Sequence, residues 1–180
     1  MEIGFDNILE HVIPMDDFSM KLRFTDENYN QLSQLHLDQL KPLDRQASRF
    51  LWDYISATNL HNDIPFKRNF FKSIDQIDIA EGNEKEIKKW LYHRGLPFSN
   101  EVYLSWQPDT AMIVPWKLLI KYFDDFDYAD DLTVIDQSLN WALLFFHEGT
   151  IYLGSNEKYM PENTFEYIGK KNIFEYLDII

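Results

Sequence analysis

Five aspartates, Asp124, Asp125, Asp127, Asp130 and Asp131, fall within eight residues and are interleaved with Phe126 and Tyr128. Carboxylates at this density can ligate a hard cation, pair with the Arg and Lys of a basic protein, or only keep a loop solvated. The calcium reading meets a direct test. An EF-hand loop places glycine at its sixth position and glutamate at its twelfth, whereas counting from Asp125 gives Asp130 and Asp136. That motif is absent, and neither a metal site nor another cofactor is expected. The functional reading that remains is recognition of a basic protein partner, with the aspartates supplying charge and Phe126 and Tyr128 supplying contact area. The competing reading is a solvated, charge-rich connection between a helix and a strand.

His147-Glu148-Gly149 is the second candidate, since it falls between two strongly strand-like segments where a hairpin tip would expose it. A zinc-protease helix would carry another histidine at position 151, which is Ile151 in a strand pattern, so that motif is absent. His147 acting as general acid or base, with Glu148 or Asp131 beside it, defines an alternative: a small hydrolase or metal-dependent enzyme. His11, His36, His61 and His93 show no ligand spacing and read as surface or boundary residues. All five tryptophans fall at core-facing phases; if any is exposed, Trp106, beside the turn residues Gln107-Pro108-Asp109, is the one expected to anchor a partner.

The charge of the whole chain agrees with the first reading. Thirty Asp and Glu against 17 Lys and Arg leave a formal charge of −13, a field that repels nucleic acid and anionic membrane surfaces and attracts basic protein faces. The basic groups Lys67/Arg68/Lys72, Lys85/Lys88/Lys89 and Lys170/Lys171 read as solvated faces. With no cysteine there is neither a disulfide framework nor a thiolate nucleophile. The six glycines are too dispersed to build a phosphate-cradling loop. No apolar run is long enough to span a bilayer, and the acidic N-terminus does not resemble a secretory signal, so a cytoplasmic location is expected.

The elements that must position these residues follow from periodicity. Phe5, Ile8, Leu9 and Val12 recur at helical spacing, and Phe18, Met20, Leu22 and Phe24 alternate as in a strand. Thr25 is placed to cap a helix bearing Tyr29, Leu32, Leu35 and His36. After Pro42 a stronger helix carries Leu43, Ala47, Phe50, Leu51, Tyr54 and Ile55 on one face. Residues 58–78 have no clean period. Asn83 to Arg94 predicts a helix stopped by Gly95, with Asn83 as cap and Glu86 completing a capping box. Val102–Trp106 and Thr110–Val114 predict a hairpin, and Pro115 opens a helix bearing Trp116, Leu119, Ile120 and Phe123. Leu132–Ile135 is a further strand.

A last hairpin joins 141–147 to 150–153 through Glu148-Gly149; with a two-residue loop Phe146 would oppose Ile151 and Phe145 would oppose Tyr152. Both faces of its first strand are apolar, so that strand should be central and covered on both sides. The tail, rich in aromatics from Phe165 to Leu177, is expected to pack back on the domain.

Ser138-Leu139-Asn140-Trp141, the apolar strand after it, His147-Glu148-Gly149 and Ile151-Tyr152-Leu153-Gly154 resemble the closing hairpin of some small bacterial domains, among them immunity proteins that neutralise secreted toxins. The resemblance spans residues 132–154 and implies a class of activity, the stoichiometric blocking of a basic protein by an acidic surface. It carries no functional residue with it. The expectation is therefore one α+β domain over residues 1–180, with a mainly antiparallel sheet of four to six strands in the C-terminal half and helices of the N-terminal half packed on it. Its expected function is that of a non-enzymatic acidic binding module, against the enzyme alternative above and a second alternative, a structural or oligomerising subunit without a separate site.

Overall fold

The computed structural model describes residues 2–128 and 130–156. The expected packing of the tail lies outside the described residues. Among the described residues seven strands form one antiparallel sheet in the order β1-β4-β3-β5-β6-β7-β2: β1 Lys41–Pro42, β2 Ser73–Asp78, β3 Glu101–Gln107, β4 Thr110–Pro115, β5 Leu132–Ile135, β6 Trp141–Phe146 and β7 Thr150–Ser155. The α+β class stands, but the sheet is larger than expected and not confined to the C-terminal half, because β1 and β2 close its two edges. Five strands are those that apolar patterning marks. β2, Ser-Ile-Asp-Gln-Ile-Asp, is almost wholly exposed and owes its place to six-residue pairing with β7.

Helices cover both faces. On one, Leu104, Trp106, Met112, Val114, Leu132, Val134, Leu143 and Phe145 pack with Ile87 and Leu91 of α4 (Glu84–Tyr92), with α5 (Trp116–Lys121) and α6 (Phe123–Phe126), and with Phe18 and Phe24. The other face takes α3 (Arg45–Ala57), whose Ala47 and Leu51 meet Ala111 and Ile113 while Ile55 joins Ala142, Leu144 and Phe146. α3 covers one face as the expected N-terminal layer, while the opposite layer is shared by α4 to α6 with Phe18, Phe24, Leu32 and Leu40 of the N-terminal half. Each large apolar side chain withdrawn from water in these layers contributes roughly 1.5–3 kcal/mol before entropy is counted.

Several local expectations change. The segment Phe18 to Phe24 is not a strand. A 3₁₀ turn at Met15–Asp17 and the single-turn helix α1 (Leu22–Thr25) bury Phe18 and Phe24 and leave Leu22 at the surface. Thr25 ends α1 rather than capping the next helix, and α2 is only Gln34–Leu37. The first segment makes a 3₁₀ turn at Ile8–His11. Asp44, not Pro42, starts α3: its Oδ1 accepts the Gln46 and Ala47 N–H groups at 2.9 and 2.8 Å, while Pro42 pairs with Met112 in the sheet. Asn83 stands at the N-terminus of α4 without a side-chain cap; its amide donates to the Asp78 carbonyl instead.

The last hairpin turns on three residues, not two. Phe146 opposes Thr150, Phe145 opposes Ile151 and Leu144 opposes Tyr152, one step from the expected register. Gly149 adopts φ +82 and donates its N–H to the Phe146 carbonyl at 2.9 Å, the left-handed closing residue that a three-residue loop requires. The division of β6 between the two faces is as expected, since alternation within one strand does not depend on the loop.

Candidate functional site

The acidic run is not one surface. α6 carries its first half, and burial of Phe123 and Phe126 turns Asp125 inward, leaving it 3% exposed. Phe126 is fully buried with its ring 5.5 Å from that of Phe24, and its carbonyl accepts the Trp106 indole N–H at 3.0 Å. Trp106, Asp125 and Phe126 are therefore interior groups and drop out of any partner surface. Arg23 fastens the backbone of the run: Nε donates to the Asp125 carbonyl at 3.1 Å and Nη2 to that of Asp124 at 3.0 Å, with the guanidinium 4.8 Å from the ring centres of Tyr29 and Tyr128. Burial, then the neighbouring Asp124 carboxylate, pushes Asp125 up to about 6, although Arg23 opposes the shift. Asp127 is also held above the ordinary carboxylate range, chiefly by burial. What stays exposed is Asp124, Tyr128 and Asp130, with Asp127 and Asp131 partly covered.

Asp130 and Asp131 border a cavity of about 650 Å³ on the α3 side of the sheet. Its floor is one row across three strands, Ser105 of β3 opposite Thr133 of β5, and Thr133 opposite Leu144 of β6, with Phe146 beyond. Trp52, Ile55 and Ser56 of α3 form one wall. The connection from Asn59 to Pro65 forms the other; it is turned by Asn59 at φ +57, a conformation asparagine tolerates better than most residues. Asp63, Gln107, Asp130, Asp131 and His147 stand around the mouth. None of the lining side chains among the described residues is Lys or Arg. A bulge in β3, where Gln107 rather than Trp106 opposes Thr110, brings Gln107 to Asp130, which accepts its amide N–H.

Two histidines meet the cavity with different chemistry. His61 Nδ1 lies 3.1 Å from the Pro65 carbonyl, which only accepts, so Nδ1 carries the proton and Nε2 accepts from the Thr133 hydroxyl at 2.9 Å. Part of the residue remains exposed, yet burial by the surrounding walls disfavours its charge and holds its pKa below the ordinary histidine value. His147 is the opposite case: its ring Nδ1 sits 2.7 Å from Asp131 Oδ1, and that hydrogen bond holds its pKa above the ordinary value. Glu148 is exposed at the hairpin tip and adds to the negative field on His147. Ser105 is 3% exposed, and its hydroxyl has no hydrogen-bond partner among the described residues. Also among the described residues, no three His, Asp or Glu side chains converge as metal ligands, and no helix is long and apolar enough to cross a membrane.

Sequence reasoning brought Asp131 and His147 together but read His61 as an ordinary surface or boundary residue and passed over Ser105 and Thr133. The readable signal was a polar residue on an otherwise apolar strand: Ser105 in EVYLSWQ and Thr133 in LTVI. His61 lies in a segment without period, and only the fold carries it to β5. No family model, curated protein or solved structure matches the chain.

Proposed function

We propose that the protein is a non-enzymatic acidic binding module that engages a basic protein partner through the exposed part of the acidic run and the cavity mouth beside it. The carrying observation is that Asp130 and Asp131 are fixed in place by Gln107 and His147 at the edge of an open cavity whose lining, among the described residues, includes no Lys or Arg. Carboxylates held in this way lose little side-chain freedom on pairing, and the −13 charge of the chain steers a basic face toward them. Asp124 and Tyr128 extend the surface on the side of Arg23. Blocking a basic protein, the activity implied by the likeness of residues 132–154 to toxin-neutralising immunity proteins, is the form of this function we favour.

The test is association with a panel of basic nucleases at low and at physiological salt. Binding at 1:1 stoichiometry is expected, with a rate that falls as salt rises and with slower, less salt-sensitive association after Asp124→Asn, Asp130→Asn and Asp131→Asn together. Binding indifferent to both salt and these changes overturns the assignment of the surface.

One observation favours a second reading, hydrolysis. Thr133, His61 and the Pro65 carbonyl are arranged as nucleophile, base and orienting group. The His147 pair of the expected enzyme is not part of that arrangement. Thr133→Val would abolish such an activity while leaving partner association intact.

A further inference from the structure

We infer that the cavity is a receptor for one organic cation, a guanidinium or ammonium group on an apolar stem, read by Ser105, Asp130 and Asp131. The inference rests on the partner-binding function above and names the group that function would recognise.

Three features converge on it. First, the balance of charge is acidic: among the described residues Asp63, Asp130 and Asp131 line the cavity and no Lys or Arg does, His147 being paired to Asp131. Second, much of the wall is apolar. Trp52 and Ile64 are 36% and 71% exposed, large hydrophobic side chains left in water unless something covers them, and Leu144 and Phe146 face them from the sheet. An aliphatic or aromatic stem fits between these surfaces, and the volume lies within the range of small-ligand sites.

Third, the floor holds a hydroxyl, that of Ser105, which is buried and without a hydrogen-bond partner among the described residues. Leaving such a group unsatisfied costs roughly 1–3 kcal/mol, a cost a donor entering the cavity would remove. Thr133 next to it spends its proton on His61 but keeps lone pairs, so both hydroxyls can accept from an entering donor. Asp131, just before β5 and two residues from Thr133, lines the same cavity at its mouth. A buried acceptor with carboxylates beyond it and apolar walls on either side matches the side chain of arginine or a small free amine of the same build.

Titration of the intact protein with agmatine, N-acetylarginine methylamide and the uncharged citrulline analogue, followed by calorimetry and by Trp52 fluorescence, tests this. Saturable binding of the charged compounds is expected, with at least about tenfold weaker binding of the citrulline analogue, because a hydrogen bond to a charged group outweighs one to a neutral group. Ser105→Ala is expected to weaken the cation by about tenfold. Trp52→Ala, at an exposed position that does not threaten folding, weakens it as well, and Asp131→Asn weakens it and flattens its salt dependence. Agmatine preferred over the arginine amide identifies a free amine as the ligand, and the reverse identifies a protein side chain.

Absence of binding at millimolar concentration, or equal binding of the citrulline analogue, overturns the proposal. If small cations fail while a basic protein still binds through Asp124 and Asp130, the cavity assignment falls alone. If small cations bind and no basic protein does, the protein-partner function falls and the receptor stands.

Discussion

Asp131 grips His147 twice: one carboxylate oxygen, Oδ1, accepts the backbone N–H at 2.9 Å and faces the ring Nδ1 at 2.7 Å. The hairpin tip is thereby tied to the start of β5, at the mouth of the cavity. The hydrogen bond favours imidazolium, so the histidine titrates above its ordinary value.

A histidine whose folded-state pKa is raised contributes stability that is fully present below its unfolded pKa and is lost as pH rises through the folded one. NMR titration should place the His147 midpoint above about 6.5, and Asp131→Asn should bring it back down. An unchanged midpoint in that variant would show that the pair is not formed in solution.

Asp125 carries the opposite sign. Its folded-state pKa of about 6 against 3.8 means that the native state holds the proton more tightly than the unfolded chain, so ionisation costs stability above pH 6 and the cost fades as pH falls. The shift corresponds to roughly 3 kcal/mol at most. Asp125→Asn should therefore stabilise the protein at neutral pH by about 1–3 kcal/mol and remove this part of the pH dependence, measured by urea denaturation at neutral and mildly acidic pH. Loss of stability instead would mean that the charge has a partner worth more than its desolvation.

Gly154 lies under the face of Phe71, where a methyl group would overlap the ring. Its neighbours in the sheet are Ala142 of β6 and Ile74 of β2. Gly154→Ala must push Phe71 out of its contacts with Phe66 and Phe70, at a cost of about 1–3 kcal/mol. Thermal denaturation reads this directly, and a melting point equal to that of the wild type would refute the close approach.

Arg23 provides two charge-assisted hydrogen bonds to carbonyls about a hundred residues away in sequence and stacks on two tyrosines. Arg23→Ala should speed amide hydrogen exchange across 124–127 and cost about 1–3 kcal/mol. Arg23→Lys should recover little of it, because an ammonium lacks the planar fork that reaches both carbonyls.

Legibility in the sequence followed the range of the forces involved. α3, α4 and strands β3 to β7 could be read because a few residues of periodicity decide them. Phe18 to Phe24 misled because an alternating apolar pattern also fits two short helical turns that bury their end residues. β2 escaped because Ser73 to Asp78 is specified by its partner strand rather than by its own composition. At the site, Asp130, Asp131 and His147 fell where local chemistry put them. Trp106 did not, since its burial depends on the Phe126 carbonyl twenty positions away. The cavity floor was invisible for the same reason: Ser105, Thr133 and His61 become neighbours only when the sheet and the connection after α3 are assembled.

The left-handed glycine closing the final hairpin also decides which side of the last central strand is wet and which is dry. Ile151 and Leu153 now join the packing beneath α4 to α6, while Tyr152 turns to the α3 side. Pairing Phe146 with Ile151 through a two-residue loop would instead invert that strand, sending two aliphatic side chains toward α3 and a phenol into a dry interior. A side chain at Gly149 should accordingly be tolerated less than a surface position suggests, and Gly149→Val would show it as a lowered melting point.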